Sequence, residues 1–174
     1  MKPEILIPVA LDAKSLGDDG TFEGYASLFG TADLGRDIVM PGAFAKSLAE
    51  RPAARVKMLR DHDPREPIGI WTGLAEDSRG LHVKGRLIRA TRLGDETFVL
   101  MKESALDGLS IGYRTRRATP DRKARTRNLD EVDLWEISVV TFPMHPDARV
   151  AAVKHHLAGA LAPGLDRLLA VLRS

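Results

Sequence analysis

Apolar and polar positions alternate along several stretches of this chain. Leu109, Ile111 and Tyr113 face one way and Ser110 and Gly112 the other, the period-two signature of a half-buried strand. Val56, Met58, Arg60 and His62 share one face opposite Lys57, Leu59 and Asp61, with Asp63-Pro64 expected to stop that strand. Leu81, Val83 and Leu87 alternate with His82, Lys84 and Arg86, as in an antiparallel sheet with one wet face. Residues 22–29 and 67–74 predict further strands. Gly24, Ala26 and Ser27 in the first of them point to tight curvature or a barrel corner. The longest strand is expected from Leu129 to Phe142. There Val132, Leu134, Glu136, Ser138 and Val140 share a face, while Trp135, Ile137 and Val139 line the other. Both faces are largely apolar, so this strand is expected to be central, with Glu136 a carboxylate on a buried face.

Helical spacing is rarer. Pro41-Gly42 opens a short helix to about Glu50, with Phe44 and Leu48 on one side. Thr91 to Leu106 carries Phe98, Met101 and Ala105 on one stripe, with Gly108 as its C′ residue. Residues 4–9 predict another short strand. After Pro143 and Pro146 the chain turns Ala- and Leu-rich, and Leu165, Leu168, Leu169 and Leu172 form an apolar stripe. These elements predict an α+β fold, a mainly antiparallel β-barrel of about seven strands ringed by a few helices. Residues 1–150 would form the barrel domain and 151–174 a helical tail.

Composition narrows the chemistry. The 174 residues include no cysteine, which excludes disulfides, thiol catalysis and cysteine-based zinc sites. No apolar run approaches a membrane span and the N-terminus lacks the apolar core of a signal peptide, so a cytoplasmic protein is expected. The net charge is only +2, but seven basic residues against Asp121 crowd residues 114–127. No aromatic residue interleaves with them to stack bases, so they read as a solvated loop between strands, and nucleic acid is not expected as a partner.

A serine hydroxyl becomes a nucleophile only when a base takes its proton and a third group orients that base. Ser110 beside Gly112, His62 at a strand end, and Glu136 on an apolar face are the candidates. Each has a plainer explanation. Ser110 fits a crowded strand crossing, His62 an exposed strand end, and Glu136 a structural pair with Arg86 or Arg114. A buried carboxylate without a partner costs several kcal/mol, so some partner is required. His145 rivals Glu136 for the third role. His82 is expected on a wet face, and His155-His156 in solvent. No histidine and acid share a metal-ligand spacing, and no metal or cofactor is expected.

Four groups of segments, in order, resemble the prohead proteases of tailed phages and phage-like particles. These are residues 22–29 (FEGYASLF), 39–44 (VMPGAF), 56–64 (VKMLRDHDP) with 67–69, and 105–113 (ALDGLSIGY) with 133–138 and 141–144. The resemblance implies a barrel shared with herpesvirus assembly proteases, His62 as base and Ser110 as nucleophile. It favours Glu136 over His145 where the herpesvirus enzymes use a second histidine. Their paired-arginine oxyanion loop has no matched counterpart here, leaving backbone N–H groups near Ser110 or on a loop as candidates. The implied biology is capsid maturation. Inside the assembling procapsid, the enzyme would cut scaffold or the N-terminal arm of the major capsid protein, and itself. The tail would serve as a tether, a self-cleaved extension or a helix packed on the barrel. A homo-oligomer stays open. The alternatives are a catalytically silent assembly or scaffolding protein and a nucleic-acid-binding barrel.

Overall fold

The computed structural model describes residues 16–151; the expected strand at 4–9 and the tail beyond residue 151 lie outside the described residues. In chain order the elements are β1 (Thr21–Leu28), β2 (Asp37–Val39), α1 (Ala45–Glu50), a 3-10 turn (Ala53–Arg55), β3 (Lys57–Arg60), β4 (Asp63–Glu76), β5 (Gly80–Leu87), α2 (Arg92–Lys102), β6 (Gly108–Asp121), β7 (Thr126–Val140) and β8 (Val150–Ala151). The strands lie in the order β2-β7-β3-β4-β5-β1-β8, with β6 also paired to β7.

The expected mainly antiparallel β-barrel forms in part: five of the seven strand pairings among the described residues are antiparallel, but the sheet stays open. The class is α+β and strand-rich, but the sheet is mixed, because β2 and β3 both run parallel to β7. They lie along different parts of one edge of β7, and β6 takes the other in an antiparallel hairpin. Side-chain alternation reports which face a residue occupies and not which way its neighbour runs, so direction was invisible in the pattern. The sheet curls enough that the segment before β8 touches both ends. Tyr25 N–H donates to Arg149 O at 3.0 Å, while Leu109 N–H donates to Ala148 O at 2.8 Å.

The curvature expected from Gly24, Ala26 and Ser27 falls where β1 slips against β5, between Tyr25 and Ser27. Such a bulge adds a residue on one strand and bends it. Inside the curl lie Trp71, Phe44, Met58, Ile68, Leu109, Leu129, Leu134 and Ile137, all fully buried. Phe22 meets the Trp71 ring edge-on at 5.6 Å between centroids. The central position expected for β7 holds, except that Trp135 is 46% exposed. The guanidiniums of Arg51 and Arg114 lie over its ring at 4.5 and 5.0 Å, covering it with charge instead of core.

Three local expectations change. Asp63-Pro64 opens β4 instead of ending a strand, because Asp61 and His62 reverse the chain with φ of 49° and 61°. The basic stretch 114–127 is no loop: most of it continues β6 and β7 as a hairpin that turns at 122–125. Most residues there are polar on both sides, so no alternation marked the strands. Several of its arginines are paired, Arg127 with Asp37 and Arg116 with Glu50. Finally, Thr91 caps α2 as expected, accepting from Gly94 N–H at 3.1 Å, but the helix ends at Lys102 and Ser104 makes the exit turn at φ 58°.

Candidate active site

Ser110 lies early on β6, 5% exposed, directly opposite Ser138 on β7. Gly112 lies opposite Glu136, two residues further along β6 and two residues earlier on β7. A Cβ at Gly112 would collide with the Glu136 carboxylate, coming within 2.8 Å of its Cδ. Glycine therefore makes the space in which the acid lies across the neighbouring strand.

His62 reaches the same place from the β3–β4 turn. Its Nδ1 lies 2.5 Å from Glu136 Oε1, and the other carboxylate oxygen accepts from Ser138 Oγ at 2.6 Å. The backbone N–H of His62 in turn donates to Ser138 Oγ at 3.1 Å. The hydrogen bond to Glu136 raises the pKa of His62 above the ordinary imidazole value, partly opposed by burial and reinforced by the charges of Glu136 and Asp61. Two consecutive non-glycine residues in the left-handed region cost roughly 1–2 kcal/mol each. The turn is held against that cost by the His62 bonds and by Asp61 N–H donating to Val139 O at 3.1 Å.

His62 and Ser110 both line one cavity of about 210 Å³, together with Thr31, Tyr113, Met144 and His145. With Nδ1 turned to Glu136, the Nε2 edge of His62 is the one left for chemistry. His145 is placed differently. Asp147 N–H donates to its Nδ1 at 3.2 Å, so its Nε2–H donates to Thr31 Oγ1 at 2.7 Å. Burial lowers its pKa, which keeps it neutral. It makes no hydrogen bond to His62. The arginines weighed as partners for Glu136 do not take that role, since its hydrogen bonds go to His62 and Ser138. His82 is half-buried and lies 3.8 Å from Glu23 on β1, on the opposite side of the strand order from Ser110.

Two parts of this site were not foreseen from the sequence: the hydroxyl of Ser138, and the room that Gly112 leaves for the Glu136 side chain. Spacing was the available signal, since Glu136-x-Ser138 puts two polar groups side by side on an otherwise apolar face.

The model of the caudovirus prohead serine protease family matches residues 9–161. The chain belongs to that family. The prohead protease of Enterobacteria phage HK97 is 35% identical over 159 residues, covering 87% of this chain and 70% of that protein. The prohead protease of Escherichia phage T5 is 30% identical over 149 residues, covering 81% and 70%. Solved structures share the fold at lower identity. The bacteriophage T4 capsid assembly protease aligns with a TM-score of 0.55 and 14% identity, covering 69% of this chain and 80% of that one. KSHV protease bound to a hexapeptide phosphonate inhibitor aligns at 0.50 and 14%, covering 75% of this chain and 63% of that one. This prohead protease family member is thus a serine protease of phage capsid maturation by kinship. Among the described residues no helix is long and apolar enough to cross a membrane.

Proposed function

We propose that the protein is a serine endopeptidase that works through Ser110, His62 and Glu136. The observation that carries this is the short bond from His62 Nδ1 to Glu136, on the rim of the cavity that Ser110 also lines. A carboxylate at Nδ1 fixes the tautomer whose Nε2 accepts a proton, and it stabilises the imidazolium that results. Ser110 Oγ attacks the scissile carbonyl and its proton passes to His62 Nε2. His62 then returns the proton to the leaving amine, the C–N bond breaks, and water releases the acyl group from Ser110 by the same route in reverse. The separation of roles between His62 and His145 supports Glu136 as third member, because His145 is engaged with Thr31.

The substrates that fit the family are scaffold and the N-terminal arm of the major capsid protein, cut inside the assembling procapsid. Self-cleavage would release one of the terminal segments, 151–174 among them. A fluorophosphonate probe tests the chemistry without a known substrate: the Ser110 Oγ–P bond forms, P–F breaks and fluoride leaves. Wild type should be labelled on Ser110, while Ser110→Ala and His62→Ala should lose labelling by about 10³-fold or more with unchanged unfolding temperature. Co-expression with the capsid protein should give a shortened capsid band that Ser110→Ala abolishes. Undiminished processing by Ser110→Ala would remove the nucleophile assignment and favour a silent assembly protein.

A further inference from the structure

One hydroxyl joins the two halves of this site, and the triad does not account for it. Ser138 is completely buried on β7, at the register position opposite Ser110. Its Oγ donates to Glu136 Oε2 at 2.6 Å and accepts the backbone N–H of His62 at 3.1 Å. We propose that Ser138 is a positioning residue for the reaction, holding the Glu136 carboxylate and the His62 turn in the one arrangement that aims the imidazole at Ser110. This rests on the reading of Ser110, His62 and Glu136 given above.

Both partners need holding. Glu136 reaches across the strand past Gly112, and a carboxylate bound through one oxygen alone can rotate about its Cγ–Cδ bond. Ser138 fixes the second oxygen and leaves Oε1 directed at Nδ1. His62 occupies an unfavourable left-handed conformation beside Asp61, which shares it. Strain of that kind persists at functional sites where surrounding contacts over-determine the backbone. The N–H of His62 finds its acceptor in the same hydroxyl that grips its carboxylate, so backbone and side chain of the base are set by one atom. An alanine leaves the N–H of His62 without its acceptor and frees the carboxylate, and Ser138 is not among the residues that line the cavity.

The test uses the full chain and two independent readouts. The first is the rate of fluorophosphonate labelling of Ser110 as a function of pH. In Ser138→Ala that rate should fall about 10- to 100-fold, with its acid limb moved down toward ordinary imidazole because Glu136, no longer held by Ser138, is not kept against His62 Nδ1. Ser138→Cys, which keeps the volume but donates weakly, should resemble Ser138→Ala, whereas a residue that only fills space would tolerate cysteine. The second readout is the downfield proton resonance expected for the short Nδ1–H···Oε1 bond, measured in a Ser110→Ala background so that it does not depend on catalysis. It should be present in Ser110→Ala and absent when Ser138→Ala is added. Wild-type labelling and acid limb in Ser138→Ala, or an unchanged resonance in the double variant, overturns the proposal. If Ser138→Ala fails to fold, the labelling and resonance of Ser138→Cys decide in its place. Failure of the triad reading looks different: Ser110→Ala would still process capsid protein, while the resonance would still report whether Ser138 holds His62 and Glu136 together.

Discussion

At the scale of single residues, His62 is the proposed base, and its pH behaviour follows from one shift, set first by its bond to Glu136. A base is active when deprotonated, so labelling of Ser110 should rise with pH through the raised pKa of His62, above the ordinary value of about 6.5. Glu136→Gln removes the carboxylate charge and the charge-assisted bond that raise it, leaving burial opposed only by the charge of Asp61. The acid limb should move down by a measurable interval while the maximal rate falls about 10³-fold, since glutamine neither stabilises the imidazolium nor holds the tautomer as firmly. Stability carries the opposite sign to activity. A histidine whose folded pKa is raised stabilises the fold fully below its unfolded value and loses that contribution as the pH rises through the folded value. A pH series of unfolding temperatures on wild type and Glu136→Gln should therefore converge on the alkaline side.

At the scale of elements, the β6–β7 hairpin makes the site, because its register sets Ser110 against Ser138 and Gly112 against Glu136. A slip of one residue would turn every one of these side chains to the other face. Gly112→Ala probes the arrangement with one methyl group. Its Cβ would displace the Glu136 carboxylate, so labelling of Ser110 should fall at least about tenfold with the acid limb lowered as in Glu136→Gln. Unfolding temperature should fall as well, because displacing the carboxylate breaks its bonds to His62 and Ser138. Equal labelling of Gly112→Ala and wild type would mean that Glu136 does not act from where it lies.

For the whole molecule, the site depends on the sheet curling until one short segment bridges its two ends. The segment entering β8 bonds to β1 on one side and to the start of β6 on the other, and Arg149 pairs with Asp107 at the entrance to β6. Val150 N–H donates to Asp107 O at 3.0 Å, immediately before the strand that carries Ser110. Val150→Pro removes that donor and a buried side chain together, and should destabilise the fold by about 3 kcal/mol, read from chemical unfolding. Because the lost bond anchors the strand that carries Ser110, labelling should fall further than the unfolded fraction explains.

Much of this was written along the chain. The patterns at 109–113 and 129–142 marked the two strands that carry Ser110 and Glu136, and a carboxylate expected among apolar residues required a partner before any partner was visible. The register slip at Tyr113, however, turns Leu134 to the core with Ile137 and Val139, away from the Glu136 face. The segments from Phe22 to Met144 carried the family. What the sequence could not express was direction and company. Parallel and antiparallel neighbours leave the same side-chain period, so the mixed sheet emerged only when the chain was folded. The hairpin at 114–127 hid behind its charge, since strands wet on both faces show no alternation. Likewise Ser138 was legible as a polar residue on β7, but its hydroxyl acquires a role only where a turn 76 residues away brings the His62 N–H within 3.1 Å. Local residue chemistry determines which groups are able to react; long-range register and turn geometry decide which of them meet, because hydrogen bonds act over a few ångströms and the chain sets no such distance until it is folded.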